Sequence, residues 1–475
     1  MQYVSTRGQS PKVSFAEVVR AGLAPDGGLY MPESIPVLSD MSLSLMRRQS
    51  FEELSRNIMS RYIDGISPFA LSKIVHNAFR PDIFGSKLIT PVDRIARGQY
   101  RLQLSNGPTA AFKDVGLRFL SEWMRYALKL SGEKQTIVGA TSGDTGPAAL
   151  HALQDVPGIE TVILFPRIGM SEFQRRQMTT IASTNVHCLS IDGTFDDCQA
   201  IVKAIFNDHV FSKKHSVGAI NSINWARILA QTIYYFSAYF QVTISDEERV
   251  TFSVPTGNFG DIMAGLVARS MGLPIDFILA TNENDVLREL FEDGIYRPRN
   301  QNEMIMADSA SMNISRASNL ERALWLASGM DSNLIASLYS QIESSESQGF
   351  FDIFGTPLLD RLRGLGITAR TSTHDDRIRM ARYIYERQGI IIDPHTADGF
   401  VAAEMQRARS SEKNPIVCLE TALPVKFQDF VFEATGIRPE MPERFKSMMK
   451  APERSTFLGN SVLEVKEYID KHIGN

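Results

Sequence analysis

Between residues 135 and 206, short apolar runs alternate with amphipathic stretches, which is how strands followed by helices are written. Residues 135–141 read as a buried strand, 147–153 as a helix opening on Pro147, and 160–166 as the next strand. A helix around 173–180, a strand at 185–191 and a helix at 196–206 extend the series. Strands apolar on both faces belong in a parallel sheet covered by helices. A second series runs from a strand at 249–255 through a helix at 261–271 to a strand at 275–280, and closes at 414–421. Residues 1 to about 90 instead give short helical runs, at 14–21 and 45–54, broken by the turn-rich 24–32. Residues 285–375 mix polar and apolar positions without a clear period, and no internal repeat is present. The pattern predicts an α/β protein with two parallel-sheet lobes and an N-terminal helical domain.

Length supports that division, since 475 residues exceed one simple core. We expect an N-terminal domain over 1–90 and a core over 91–475, with a smaller lobe at about 115–215. Hydrophobic content of 43% and charged content of 22% are ordinary for a soluble globular chain. A net charge of -4 gives no electrostatic reason to expect nucleic acid or a membrane surface as partner. No run of about 18 apolar residues could span a bilayer, and the first residues lack the apolar stretch of a signal peptide. Cys188, Cys198 and Cys418 have no paired spacing, which argues against a disulfide framework or a zinc site. A cytoplasmic location is expected.

The chemistry concentrates in three segments. In Ser105-Asn-Gly-Pro-Thr-Ala-Ala-Phe-Lys-Asp, Gly107-Pro108 forces a turn, while Phe119, Leu120, Trp123, Met124, Ala127 and Leu128 recur at helical spacing. Lys113 therefore stands where a loop enters a helix, near backbone N–H groups that attract anions. A lysine there can hold a phosphate-bearing aldehyde as a Schiff base, although a lone lysine at a helix start is more often an ordinary surface residue. Ala140-Thr-Ser-Gly-Asp-Thr-Gly-Pro joins a strand to a helix, and its glycines, hydroxyls and N–H groups suit a carboxylate or phosphate. Pro255-Thr-Gly-Asn-Phe-Gly-Asp does the same, with Gly257 and Gly260 flanking Asn258 and Phe259 in a compact nest of donors. Glycine-rich turns alone are weak signals. Together with Lys113 they favour a phosphorylated cofactor.

These three segments resemble the core motifs of the threonine synthase family, a branch of the fold-type II pyridoxal phosphate enzymes (tryptophan synthase β-like). Tyr3-Val-Ser-Thr-Arg-Gly with Leu23-Ala-Pro-Asp-Gly-Gly-Leu-Tyr-Met-Pro-Glu resembles that family's amino-terminal domain, and Glu420-Thr-Ala-Leu-Pro-Val-Lys-Phe its carboxy-terminal signature. The resemblance implies pyridoxal 5'-phosphate bound to Lys113, which also serves as the main acid and base. It implies that the turn of Gly257, Asn258, Phe259 and Gly260 holds the cofactor phosphate, that Asp144 lies near the phenolic oxygen, and that Thr421 faces the pyridine nitrogen. A hydroxyl there can donate to an unprotonated ring nitrogen, whereas a carboxylate would hold a proton on it. One departure is Leu423, where the family commonly has histidine; Val425 likewise replaces alanine.

The implied substrate is O-phospho-L-homoserine, converted with water to L-threonine and phosphate by γ-elimination and β-addition, in a monomer or homodimer. Candidates for its phosphate are Ser142, Thr145, Asn224, Arg227 and Arg316, because hydroxyls and guanidinium groups suit that anion. His395, in Asp393-Pro-His-Thr, is read as part of a structural turn with a possible polar contact. A phospho-lyase yielding 2-oxobutyrate, a β-replacing synthase and a non-catalytic metabolite-binding scaffold remain as alternatives. The intact Lys113 argues against the last.

Overall fold

Two parallel sheets organise the chain in its computed structural model, which describes residues 1–343, 349–410 and 413–473. The larger sheet has six strands, ordered Ile367–Thr371, Ile275–Thr281, Val250–Pro255, Ile416–Glu420, Gln99–Gln103 and Val92–Ala96. Only the last pair is antiparallel. The smaller sheet orders Thr456–Leu458, Val186–Ile191, Ile159–Pro166, Gln135–Ala140 and Val217–Gly218, all parallel. Its outer strand Thr456–Leu458 arrives from the far end of the chain, a return that the strand–helix alternation gives no sign of. The central strand Ile416–Glu420 is buried at every position, as a run with no polar face must be.

The helix Trp225–Val242 is the spine between these parts. Trp225, Tyr234, Tyr235 and Tyr239 on it are fully buried, and it packs against Phe51–Met59, Lys113–Ser131 and Gly260–Ser270. Two glycines let the neighbours close in. A Cβ on Gly116 would lie 3.3 Å from Arg227 Cβ, and one on Gly265 would lie 2.9 Å from Tyr235 Cζ. The spine thereby holds the helices that start at Lys113 and Gly260 in one frame.

Three sequence expectations are revised. Residues 45–54 are two helices, Asp40–Met46 and Phe51–Met59, because Ser50 and Glu53 form a capping box that restarts the backbone. The helix after the 140–147 segment begins at Thr145, two residues ahead of the proline. Thr141 Oγ1 accepts the Gly146 N–H at 3.0 Å and fills the place of an N-cap. Residues 285–375 carry ordinary helices, among them Val286–Asp293, Leu320–Ala327 and Pro357–Arg363, and the edge strand Ile367–Thr371. Their period is blurred because polar side chains lie inside: Asn319, Glu321 and Arg322 are buried.

The N-terminal segment docks on the larger lobe through such groups. Arg7 pairs with Glu321 at 3.2 Å, Arg322 donates to Tyr30 O at 3.0 Å, and Asn224 donates to Val19 O at 2.9 Å. Among the described residues no helix is long and apolar enough to cross a membrane.

Candidate active site

Lys113 is the first residue of the helix Lys113–Ser131. The loop before it is folded by Asp114, whose carboxylate accepts the Thr109 N–H at 2.9 Å and the Thr109 hydroxyl at 2.7 Å. Position 107 has no room for a side chain, since a Cβ would lie 2.4 Å from Asp114 Oδ2. Ala110 is left-handed, with φ 56°, a strained state for alanine that the surrounding bonds enforce. Phe112 N–H donates to Thr421 O at 2.9 Å and Leu423 N–H to Ala110 O at 3.2 Å, while Ala111 bridges Ala422. Lys113 is thus latched to Thr421, which directly follows the central strand. Leu423 packs with Ala110, Phe173, Val425 and Phe445, an apolar wall.

Burial pushes the Lys113 ammonium down to about 8; Asp144 and Asp261 oppose the shift, and Lys426 and Arg227 reinforce it. Asp144 is held well below the usual carboxylate range: burial raises it, but Lys426, Lys113 and Gln174 outweigh that. Lys426 Nζ donates to Asp144 Oδ1 at 2.7 Å, and Gln174 Nε2 to the same atom at 2.9 Å. Lys426 is the residue that sequence reasoning passed over. The available signal was a lone lysine in the otherwise apolar Ala422-Leu-Pro-Val-Lys-Phe. Burial also pushes Asp261 up to about 6, against hydrogen bonds from Tyr234 and Tyr235 and the charge of Lys113. Its Oδ2 has no partner among the described residues.

The two turns face this cluster from the carboxyl ends of their strands. In the second, Phe259 takes the left-handed conformation at φ 62° and caps the helix Gly260–Ser270. The N–H groups of Gly257, Asn258 and Phe259 donate to no acceptor among the described residues. Gly257 lies against the segment around 311–314, where a Cβ would meet Ser311 O at 2.8 Å and Ile314 at 3.0 Å. That segment is pinned by His395, whose Nε2 accepts the Ser311 N–H at 3.1 Å while Nδ1 bonds Asp393 at 2.8 Å. In the first turn, the side chains of Ser142 and Thr145 make no hydrogen bond among the described residues, and Thr141 folds the loop through Gly143 and Gly146. The Thr421 hydroxyl is likewise unengaged, although the residue is buried.

An amine tuned towards neutrality, a turn of open N–H donors and an unengaged buried hydroxyl are the groups that an aromatic aldehyde phosphate requires. Residues 2–79 match the family described as threonine synthase N terminus, 100–422 that of pyridoxal-phosphate dependent enzymes, and 396–469 the threonine synthase C-terminal family. Over 481 residues, covering both chains fully, the protein is 42% identical to the threonine synthase of Methylobacillus glycogenes. The chain belongs to the threonine synthase family. Pyridoxal phosphate is the cofactor of this pyridoxal-phosphate dependent enzyme. Solved threonine synthases superpose closely: that of Brucella melitensis with pyridoxal phosphate bound has a TM-score of 0.94 at 40% identity over 99% of each chain. That of yeast gives 0.93 at 35%, over 99% of this chain and 98% of the other.

In this threonine synthase family member the candidate anion ligands separate into two groups. Arg227 is buried, and its Nε and Nη1 have no partner among the described residues; burial pushes its guanidinium down to about 10. Ser142 and Thr145 stand at the open turn. Asn224, by contrast, caps the helix Trp225–Val242 through Oδ1 and ties Val19 through Nδ2, so both its polar atoms serve the fold. Arg316 is half-exposed, pairs with Glu343 at 2.9 Å and lies over the Tyr339 ring, turned towards the surface.

Proposed function

We propose that the chain converts O-phospho-L-homoserine and water to L-threonine and phosphate, in the cytoplasm, as a monomer or homodimer. The observation that carries this is Arg227, a buried cation with two orphaned nitrogens, next to a lysine held near neutrality. A buried guanidinium without a partner is expensive, so the site is built to receive an anion.

The residues divide the work as follows. Lys113 would hold the cofactor, the N–H groups at 257–260 its phosphate, and Thr421 its ring nitrogen through a donated hydrogen bond. When bound, pyridoxal phosphate supplies an electron sink for a carbanion beside the substrate amine. Lys113 Nζ, uncharged, would take the α proton, return it to the bound cofactor–substrate adduct and, uncharged again, take one from the β carbon. Arg227, with Ser142 and Thr145, holds the phosphate as it departs from the γ carbon and neutralises its charge. The apolar wall at Leu423 and Phe445 limits stray water, while one water must reach the β carbon.

Threonine and phosphate should form in equal amounts, with the threonine hydroxyl carrying label from isotopic water. Phosphate released with only 2-oxobutyrate would instead identify a phospho-lyase, an outcome of interest because Leu423 provides no titratable group beside the cleft.

A further inference from the structure

Lys426 is a second buried ammonium acting on Lys113. Its ion pair with Asp144 is closed to solvent, the two side chains being 0% and 2% exposed at 2.7 Å. The pair crosses between lobes: Asp144 and Gln174 flank the smaller sheet, and Lys426 follows the central strand of the larger one. Asp144 begins the helix Thr145–Leu153 yet makes no capping bond, because its carboxylate is committed to Lys426 and Gln174. A buried pair of this kind adds little to stability, since desolvation offsets the attraction. Its position beside Lys113 calls for another account.

We propose that Lys426 is a positioning residue: by neutralising Asp144 from the other lobe, it withholds that carboxylate from Lys113 and eases loss of the reactive amine's proton. Without Lys426, Asp144 would be an uncompensated anion beside Lys113, and the Lys113 amine would retain its proton. A protonated amine has no lone pair with which to bind an aldehyde or accept the α proton. The other groups around Lys113 do not supply this control. Arg227 also disfavours the proton but stands ready for an anion that would cancel its charge. Asp261 opposes, with one oxygen held by both tyrosines. Asp114 is bound back to Thr109, and the Phe112 ring, 4.8 Å from Nζ, slightly favours the charged form. The low titration of Lys113 agrees with this arrangement.

The inference rests on Lys113 being the cofactor lysine, so it is best tested on the full-length protein stripped of cofactor. Competitive acetylation of Lys113 across pH, read by peptide mass spectrometry, reports the amine itself. Lys426→Met should raise the midpoint by at least about one pH unit, and Asp144→Asn should lower it by a similar amount. The double variant and Lys426→Arg should both fall within about half a unit of wild type. An unmoved midpoint in Lys426→Met, or both single variants moving the same way, would overturn the proposal. If Lys426→Met does not fold, the opposite shift in Asp144→Asn together with wild-type behaviour of Lys426→Arg carries the test, and its absence overturns it. Borohydride trapping of the cofactor on Lys113, and threonine formation, are scored separately, so the substrate assignment fails or holds independently of the amine titration.

Discussion

Arg227 and Asp261 show how the spine helix and its neighbour place opposite charges behind one lysine without pairing either fully. For Arg227, a buried cation lacking partners is retained at a loss of stability. Arg227→Met should therefore raise the thermal midpoint while weakening inhibition by inorganic phosphate by about tenfold or more. Lower stability with unchanged phosphate inhibition would mark the guanidinium as structural. Asp261 makes a pH prediction. Its folded value, about 6, lies above the ordinary carboxyl value, so between roughly pH 4 and 6 the native state binds more protons than the unfolded chain. Stability from this group is complete below that window and is lost as pH rises through it. Urea unfolding of the cofactor-free protein should show Asp261→Asn gaining on wild type from pH 4 to pH 7 by on the order of 3 kcal/mol.

At the scale of the element, the turn at 257–260 was legible in its glycines, but their division of labour was not. The left-handed residue is Phe259, not a glycine. Gly257 is required for space instead, because the segment pinned by His395 lies directly against it. Gly260 is looser, its Cβ position being 3.3 Å from Asn319 Nδ2. Gly257→Ala should thus reduce cofactor affinity about tenfold or more, and Gly260→Ala clearly less, by equilibrium titration of the visible band. Equal effects would mean that the backbone, rather than the 311–314 segment, sets the tolerance.

On the scale of the whole molecule, the N-terminal domain is a buttress for the larger lobe, held by buried polar groups. Glu321 is almost fully buried and accepts from both Thr6 and Arg7. Glu321→Ala leaves Arg7 mostly buried with the half-exposed Glu343 as its carboxylate partner among the described residues. The loss should be about 3 kcal/mol of unfolding free energy, with faster proteolytic clipping near residue 8. Glu321→Gln, which keeps the Thr6 hydrogen bond, should lose less. Unchanged proteolysis in Glu321→Ala would show that the apolar contacts of the domain suffice.

Local rules were enough for the strands at 135–140, 159–166, 186–191, 250–255 and 275–281, the helix at Lys113 and both glycine turns, because each is written in a short period or a turn residue. The same holds for the place of Lys113 at a helix start, since loop entry to a helix is a local fact. Three other features depend on partners far along the chain. The strand Thr456–Leu458 joins the smaller sheet only by returning to it. Residues 285–375 hid their helices because their polar positions are satisfied by the N-terminal segment and by strand-end loops. The charge on Lys113 is decided by Asp144, Lys426, Arg227 and Asp261, which converge from four separate segments. Electrostatic effects depend on distance and burial, and neither is a property of sequence spacing. The chain alone therefore determined where Lys113 and the two glycine turns stand, and only the folded arrangement decided the protonation of Lys113 and its partners.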